Sequence, residues 1–437
     1  MSRVINQQFQ VVILAGGHGS KMNPLAKDIA KPLLRVGNRP LISYVLEMMQ
    51  KAQFDEVIIV THSQMVSQIQ SYLETSDIKS NTRIITVKED LGTADVLRSI
   101  REQIRSDFIV ISSDLITDAP LHHVADIHRV FDSTVTLLLH QEEKETLTQM
   151  QKDKFYYQDY IGLNEDNICF FGSSIDFEKR IKTKPWILNK YGEFSLHRNL
   201  TDSHIYIFSR WILDLLSIKK EISSIKGDLI PYLVSKQATL LQKEKYSKIF
   251  KRFHKQAPVQ KSINCIAVID SKEPHISKFN NYENVKSSNI FIRVNTVSSY
   301  KRANFEIAKA TSELLPFEKK VSDDFVDATT NLVNDPFLTS PCIIGQCVSI
   351  GAKSVLMKSI IGPHCKIGEN VKIQNSIIMD HVTIGNDCVI NDSVICSNSL
   401  IQNNCELVSC VVGSTYSIEE NSSYKNKLLK NMFNFSK

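Results

Sequence analysis

The sequence predicts an α/β fold in two parts: an open sheet with helices on both faces, then a parallel β-helix. Three observations predict it. Short apolar runs alternate with amphipathic stretches from Phe9 to about Leu241, a glycine-rich loop follows the first run, and aliphatic residues recur with a 17-residue period from Ile344 to Val412.

The first part reads as strand, helix, strand in succession. Phe9–Leu14, Val57–Val60, Arg83–Val87 and Phe108–Ile111 have the apolar, β-branched character of buried parallel strands, and residues Pro40–Lys51 and Thr93–Ile104 have helical periodicity. Ligands of such sheets bind beyond the carboxyl ends of the strands. The loop after Leu14 and the turn at Asp114 would lie there. A basic stretch, Tyr246 to Lys261, carries Lys248, Lys251, Arg252 and Lys255, and an irregular segment follows to about Lys286. Residues 242–288 are therefore expected to form a solvated insertion within a first domain spanning 1–315.

The last third follows a different rule. From Ile344 the aliphatic positions advance by 6, 6 and 5 residues through Ile350, Leu356, Ile361, Ile367, Ile373 and Ile378 to Val412, and a glycine often follows the aliphatic, as at Gly351, Gly362 and Gly368. A hexapeptide period is the mark of a parallel β-helix, with the aliphatic pointing inward and glycine expected at the tight corner. About four coils are expected over 341–415, with a linker at 316–340 before them and a polar tail at 416–437 after them.

Length and composition set outer limits. At about 150 residues per domain, a chain of 437 residues holds two or three domains. A net charge of +5 is too small to argue for nucleic-acid binding. No apolar run approaches the roughly 18 residues of a membrane span, and the N-terminus lacks an apolar signal core. The expectation is a cytosolic protein with no membrane and no direct nucleic-acid partner. Nine cysteines form no Cys-x-x-Cys pair, and the seven between Cys342 and Cys410 read as small buried hydrophobes rather than as disulfides or a zinc site.

The chemistry-bearing motif is Leu14-Ala15-Gly16-Gly17-His18-Gly19-Ser20-Lys21-Met22-Asn23-Pro24-Leu25, followed by Lys31-Pro32-Leu33. Glycines after a strand let backbone amides approach a phosphate chain, and a lysine some ten residues on can neutralise phosphate charge. This stretch resembles the signature of sugar-phosphate nucleotidyltransferases. Several members of that family also carry a C-terminal hexapeptide β-helix, so the resemblance spans nearly the whole chain. It implies a Rossmann-like nucleotidyltransferase domain followed by a left-handed β-helix. It also implies a nucleotide-binding loop built from Gly16, Gly17, Gly19, Ser20, Lys21 and Lys31, a base-contacting segment at Gly92-Thr93-Ala94, and a metal-binding aspartate at Asp114. The segment from Val294 to Asn304 resembles the one that closes the family's domain, with Thr296, Tyr300, Ala303 and Asn304 in register.

Departures from the pattern bear on function. Lys21 stands where the family's loop carries an arginine, which keeps the charge and loses the bidentate fork. Arg293 stands three residues before Thr296, where the family commonly places its second metal-binding aspartate. A cation cannot ligate a cation, so the two-carboxylate metal site is expected to be broken, with no catalytic residue, no metal and no cofactor. His18 is given no role. His364 and His381 are the candidates for a β-helix acyltransferase base, and they read instead as exposed turn residues.

A closer resemblance lies in Gly92-Thr93-Ala94-Asp95, Ser112-Ser113-Asp114-Leu115-Ile116-Thr117-Asp118 and the run Asp228-Leu229-Ile230-Pro231-Tyr232 through Gln237. These resemble the nucleotidyltransferase-like subunits of eukaryotic translation initiation factor 2B. The chain ends about 25 residues after the last hexapeptide, too soon for the helical repeat of the epsilon type, so the gamma type is expected. The resemblance implies a non-enzymatic subunit of the guanine-nucleotide exchange complex for initiation factor 2. Its partners would be the catalytic epsilon-like subunit, the other subunits of the complex and the initiation factor 2 GTPase. The alternative is an active or regulatory sugar-phosphate nucleotidyltransferase of the GDP-mannose pyrophosphorylase kind.

Overall fold

A computed structural model describes residues 9–54, 56–76, 81–150, 157–176, 181, 185–237, 263–271, 290–309, 320–321, 324–327, 329–332, 337–339 and 341–431. The basic stretch at 246–261 lies outside them. The chain divides into two compact units, Met1–Gly17 with Tyr44–Arg293, and His18–Ser43 with Val294–Lys437. The division thus falls at Arg293 rather than near residue 315, and a piece of the N-terminal motif belongs to the second unit.

The first unit is built on a ten-stranded mixed sheet. The apolar run Phe9–Leu14 is the third strand from one edge, parallel to Asp107–Ser112 on one side and to Glu56–His62 on the other. Asn81–Val87 pairs in parallel with Glu56–His62 at the edge. It is half-exposed rather than fully buried, because an edge strand here has only one neighbour and one well-covered face. On the other side Leu200–Phe208 runs antiparallel to both Asp107–Ser112 and Val135–Gln141. Next comes Cys265–Asp270, parallel to Val135–Gln141. That strand falls inside the range assigned to an irregular insertion. Its apolar run Cys265-Ile266-Ala267-Val268 is buried in the sheet, and the polar surroundings had masked a run this short. The first helix is Leu41–Lys51, and the helix Thr93–Ser99 gives way to a short 3-10 turn, Arg101–Gln103, before Ile104.

The second unit contains the parallel β-helix. Backbone pairing stacks Ile344, Ile361, Ile378, Ile395 and Val412 in one inward column, as the 17-residue period requires. The coils begin earlier and end later than expected. Val326 pairs with Ile344, Leu332 with Ile350 and Leu338 with Leu356, so the first coil has 18 residues. This one-residue change of register hid it, and the supposed linker 316–340 contains that coil. At the other end Ile418, Tyr424 and Leu429 pair with Ile401, Leu407 and Val412, so the supposed tail holds the last coil. Two of the faces have six strands each, which makes about six coils rather than four.

The corners also differ from expectation. The left-handed backbone position is taken by Asn, Asp, His, Ser, Thr, Lys or Cys, for example His364 (φ 60°), Asn370 (φ 55°) and Asp392 (φ 50°), and not by glycine. The glycine sits two residues earlier. A Cβ on Gly362 would lie 2.7 Å from the carbonyl carbon of Met379, and one on Gly351 would lie 2.6 Å from that of Gly368. Glycine is required by coil stacking, while the short polar side chains tolerate the turn. Six of the seven cysteines of this region are buried and Cys347 is exposed. Burial pushes the thiols of Cys365 and Cys396 up to about 12, so they are uncharged and unreactive at neutral pH.

The helix Val297–Lys309 packs on the β-helix. Thr296 Oγ1 accepts from the Ser299 amide at its start, and Tyr300, Ala303 and Asn304 are buried. Lys301 Nζ reaches Asp392 at 2.6 Å. Asn304 Oδ1 accepts from the Gly37 amide at 2.9 Å, Asn38 donates to the carbonyl of Ile361, and Arg35 pairs with Asp380 at 3.0 Å. Asn304 thus ties the helix to the 35–40 turn, while Lys301, Arg35 and Asn38 fasten both to the coils.

Gly362→Ala is expected to destabilise the second unit by about 1–3 kcal/mol through overpacking. Gly413→Ala should cost less, because its Cβ would first meet the Lys430 side chain at 3.2 Å. Thermal denaturation of both variants checks the order.

Candidate functional site

The loop that follows the first strand is divided between the two units. In the first unit, the Ala15 amide donates to the carbonyl of Val60 at 2.8 Å, and Thr61 Oγ1 donates to the Ala15 carbonyl at 3.2 Å. Gly16 lies over the His62 ring, where a Cβ would come within 3.0 Å of Nε2, while Gly17 faces open space. In the second unit, Gly19 (φ 66°) caps the short turn Ser20–Met22. Lys21 is exposed there, and Lys31 is buried in the turn Lys31–Leu33, with its stem beside Gly19.

Gly92 and Thr93 start the helix Thr93–Ser99, where amides would be available to an anion. The chain itself takes that place. The Ala94 amide donates to the Ser223 carbonyl at 2.8 Å, Thr93 Oγ1 accepts from the Ile225 amide at 2.8 Å, and a Cβ on Gly92 would lie 2.3 Å from the Ser223 carbonyl oxygen. Asp95 accepts from the Gly92 amide and from Ser223 Oγ and pairs with Arg98. Burial pushes its carboxyl up, but those hydrogen bonds and the guanidinium prevail and hold it below its ordinary value. Arg98 in turn donates to the carbonyls of Leu216 and Ile222 at 2.7 Å. Asp228 has a similar local role, accepting from the amides of Ser223 and Ser224. This segment is closed by its own backbone.

Asp114 is the buried centre of the site, 3 % exposed at the turn between Asp107–Ser112 and Leu115–Thr117. Ser112 Oγ donates to its Oδ1 at 2.5 Å. The short strand Leu115–Thr117 pairs antiparallel with Phe291–Arg293, register Arg293 to Leu115. That pairing delivers Arg293 to Asp114, with Nε 3.3 Å from Oδ1. The guanidinium also meets His204 Nε2 through Nη1, so the imidazole nitrogen facing it accepts. The Oδ1 of Asp114 thus accepts from a hydroxyl and faces a guanidinium. Among the described residues, no group of three acidic, histidine or cysteine side chains has metal-binding geometry.

A polar chain continues beneath Arg293. His204 sits at φ 56° in an interruption of the ladder between Asp202 and Tyr206. The Asp202 carboxylate accepts from the Tyr206 hydroxyl and from the His204 amide. Asp159, buried, accepts from the Asp202 amide at 3.2 Å and from Lys226 Nζ at 2.8 Å. Burial pushes the Asp202 carboxyl above its ordinary value, against the pull of Lys226. Burial beside Asp202 also pushes the Tyr206 phenol well up. His204, Asp202 and Lys226 escaped the sequence reading. Nothing in a strand such as Asp202-Ser203-His204-Ile205-Tyr206 shows that it bulges.

His364 and His381 lie at successive corners of the β-helix and stack face to face at 4.8 Å. Their neighbour Asp380 is committed to Arg35. No residue positioned as a nucleophile accompanies them among the described contacts.

Two protein-family models match the chain: Nucleotidyl transferase over residues 10–147, and EIF2B subunit epsilon LbH domain over residues 324–424, which starts at the first strand of the first coil. Among curated relatives, the Translation initiation factor eIF2B subunit gamma of Dictyostelium discoideum is 35% identical over 389 residues, covering 81% of this chain and 87% of that protein. The chain belongs to the eIF2B gamma-subunit family. The family member of Schizosaccharomyces pombe is 27% identical and covers 75% of this chain and 71% of its own length. A Mannose-1-phosphate guanyltransferase of Candida albicans is 31% identical over only 133 residues, 29% of this chain, and is a distant relative. The fold expected from the sequence, a Rossmann-like nucleotidyltransferase domain followed by a left-handed β-helix, is the fold of the family.

Arg293→Ala leaves Asp114 buried without its cation, and a loss of about 1–3 kcal/mol is expected in urea denaturation, with Arg293→Lys intermediate. The raised Asp202 makes a second expectation. The native state holds this proton more tightly than the unfolded chain, so stability falls as pH rises above the unfolded carboxyl value of about 4. Asp202→Asn lacks that titration. Its stability relative to wild type should therefore improve between pH 4 and neutrality, read from denaturation midpoints at each pH.

Proposed function

We propose that this chain is a non-enzymatic subunit of the guanine-nucleotide exchange complex for translation initiation factor 2. In this reading it pairs with an epsilon-type catalytic subunit in the cytosol and helps that subunit release GDP from the initiation factor 2 GTPase. Membership of the gamma-subunit family supports the complex. The observation that carries the non-enzymatic part is the Arg293–Asp114 ion pair. Phosphoryl-type transfer to a sugar phosphate needs cationic charge held by carboxylates against the pyrophosphate. Here the carboxylate is spent on an internal guanidinium, and the helix start at Gly92 is filled by Ser223.

The family's nucleotide loop is retained in outline, with Gly16, Gly17, Gly19, Ser20, Lys21, Lys31, Gly92, Thr93 and Asp114 as vestiges. In this reading they serve backbone geometry. No helix among the described residues is long and apolar enough to cross a membrane.

The test has two arms. The purified chain with Mg2+, GTP and mannose-1-phosphate should release no pyrophosphate above a no-protein control. Steady release would instead make it a guanyltransferase. Tagged chain expressed in its own cells should co-purify with an epsilon-type subunit in stoichiometric amount, and recovery of the tagged chain alone would overturn the assignment to the complex.

A further inference from the structure

The three faces of the β-helix differ in what their outward residues meet. On the first face the outward column Ile343, Ile360, Ile377 and Val394 is aliphatic and buried. The helix Val297–Lys309 and the Asn38 side chain lie against this face near Ile361. An aliphatic outward column on a solenoid therefore has its cover within the unit. The third face, strands Val355–Met357, Lys372–Gln374, Val389–Asn391 and Glu406–Val408, carries apolar residues too. Its outward column reads Val355, Lys372, Val389, Glu406 by backbone register. Val389 remains 40% exposed, Lys372 and Glu406 are exposed, and Met357 and Val408 in the neighbouring column are half-buried.

We propose that this third face is a docking surface for a second copy of the chain, packed face to face with the two β-helix axes antiparallel. The charges decide the partner and its direction. Rungs of a parallel sheet are about 4.8 Å apart, so Lys372 and Glu406 stand one rung to either side of Val389. A two-fold axis through Val389 places each Lys372 opposite the Glu406 of the other copy and closes Val389 on Val389. An isologous interface has this self-complementary form. A parallel arrangement would set lysine on lysine and glutamate on glutamate. Glu406 has Lys425 at 4.0 Å on its own chain, but both side chains are well exposed and such a pair contributes little. The face is about 20 Å long over its central rungs, short of what a permanent dimer buries. The association is therefore reversible and depends on concentration and salt. This goes beyond membership of an exchange complex and does not depend on it.

Sedimentation velocity of the full chain from about 1 to 100 µM tests the proposal. A monomer–dimer equilibrium is expected, weakened by added salt. Lys372→Glu and Glu406→Lys should each raise the dimer dissociation constant about tenfold or more, and the double variant should restore it to near the wild-type value. Both positions of change are exposed, and an unchanged thermal midpoint confirms that each variant is folded. A monomer throughout the range would overturn the proposal and leave the face to a different chain. A dimer indifferent to the single swaps, or one that the double swap fails to restore, would overturn it equally.

Discussion

A buried carboxylate costs much less beside a cation, and at Asp114 the structure sets the guanidinium of Arg293. The pair fixes more than itself. It goes with the two-stranded ribbon between Leu115–Thr117 and Phe291–Arg293, and it sets the last residues of the unit against the carboxyl end of the strand Asp107–Ser112. Through His204 it also reaches the Tyr206 and Asp202 hydrogen bonds inside the sheet. A site at the sheet's carboxyl edge is where nucleotide chemistry would be placed by topology. Here the same topology holds an internal polar network of Asp114, Arg293, His204, Tyr206 and Asp202.

The second unit depends on a different constraint, the close stacking of coil on coil. Backbone hydrogen bonds between successive coils leave no room for a Cβ beside the corner, so glycine recurs two positions before each left-handed residue on several corners. The turn itself is left to asparagine, aspartate, histidine and serine, whose short polar side chains then ladder from rung to rung, as Asn370 does with Asp387. The six buried cysteines fit the same demand for small inward side chains near corners, and burial raises the thiols of Cys365, Cys388 and Cys396. The helix Val297–Lys309 is fastened to the coils by Lys301 and Asn304. The segment that resembles the family's domain-closing element thus carries a structural task in the second unit.

The sequence by itself determined the strands Phe9–Leu14 and Phe108–Ile111, from short apolar runs, and the coils from Ile344 to Val412, from a 17-residue repeat of inward aliphatics. The family resemblance also singled out Arg293 as a departure from the family's pattern. The first coil was hidden because it holds one residue more than the others, and the strand Cys265–Asp270 because its neighbours along the chain are polar. Only the tertiary structure decided that Arg293 lies on Asp114, that Ser223 fills the start of the helix at Gly92, and that His204 and Asp202 join the same network. Those contacts unite residues up to 179 positions apart. They are set by strand pairing and a break in one ladder, and neither leaves a periodic mark in the sequence.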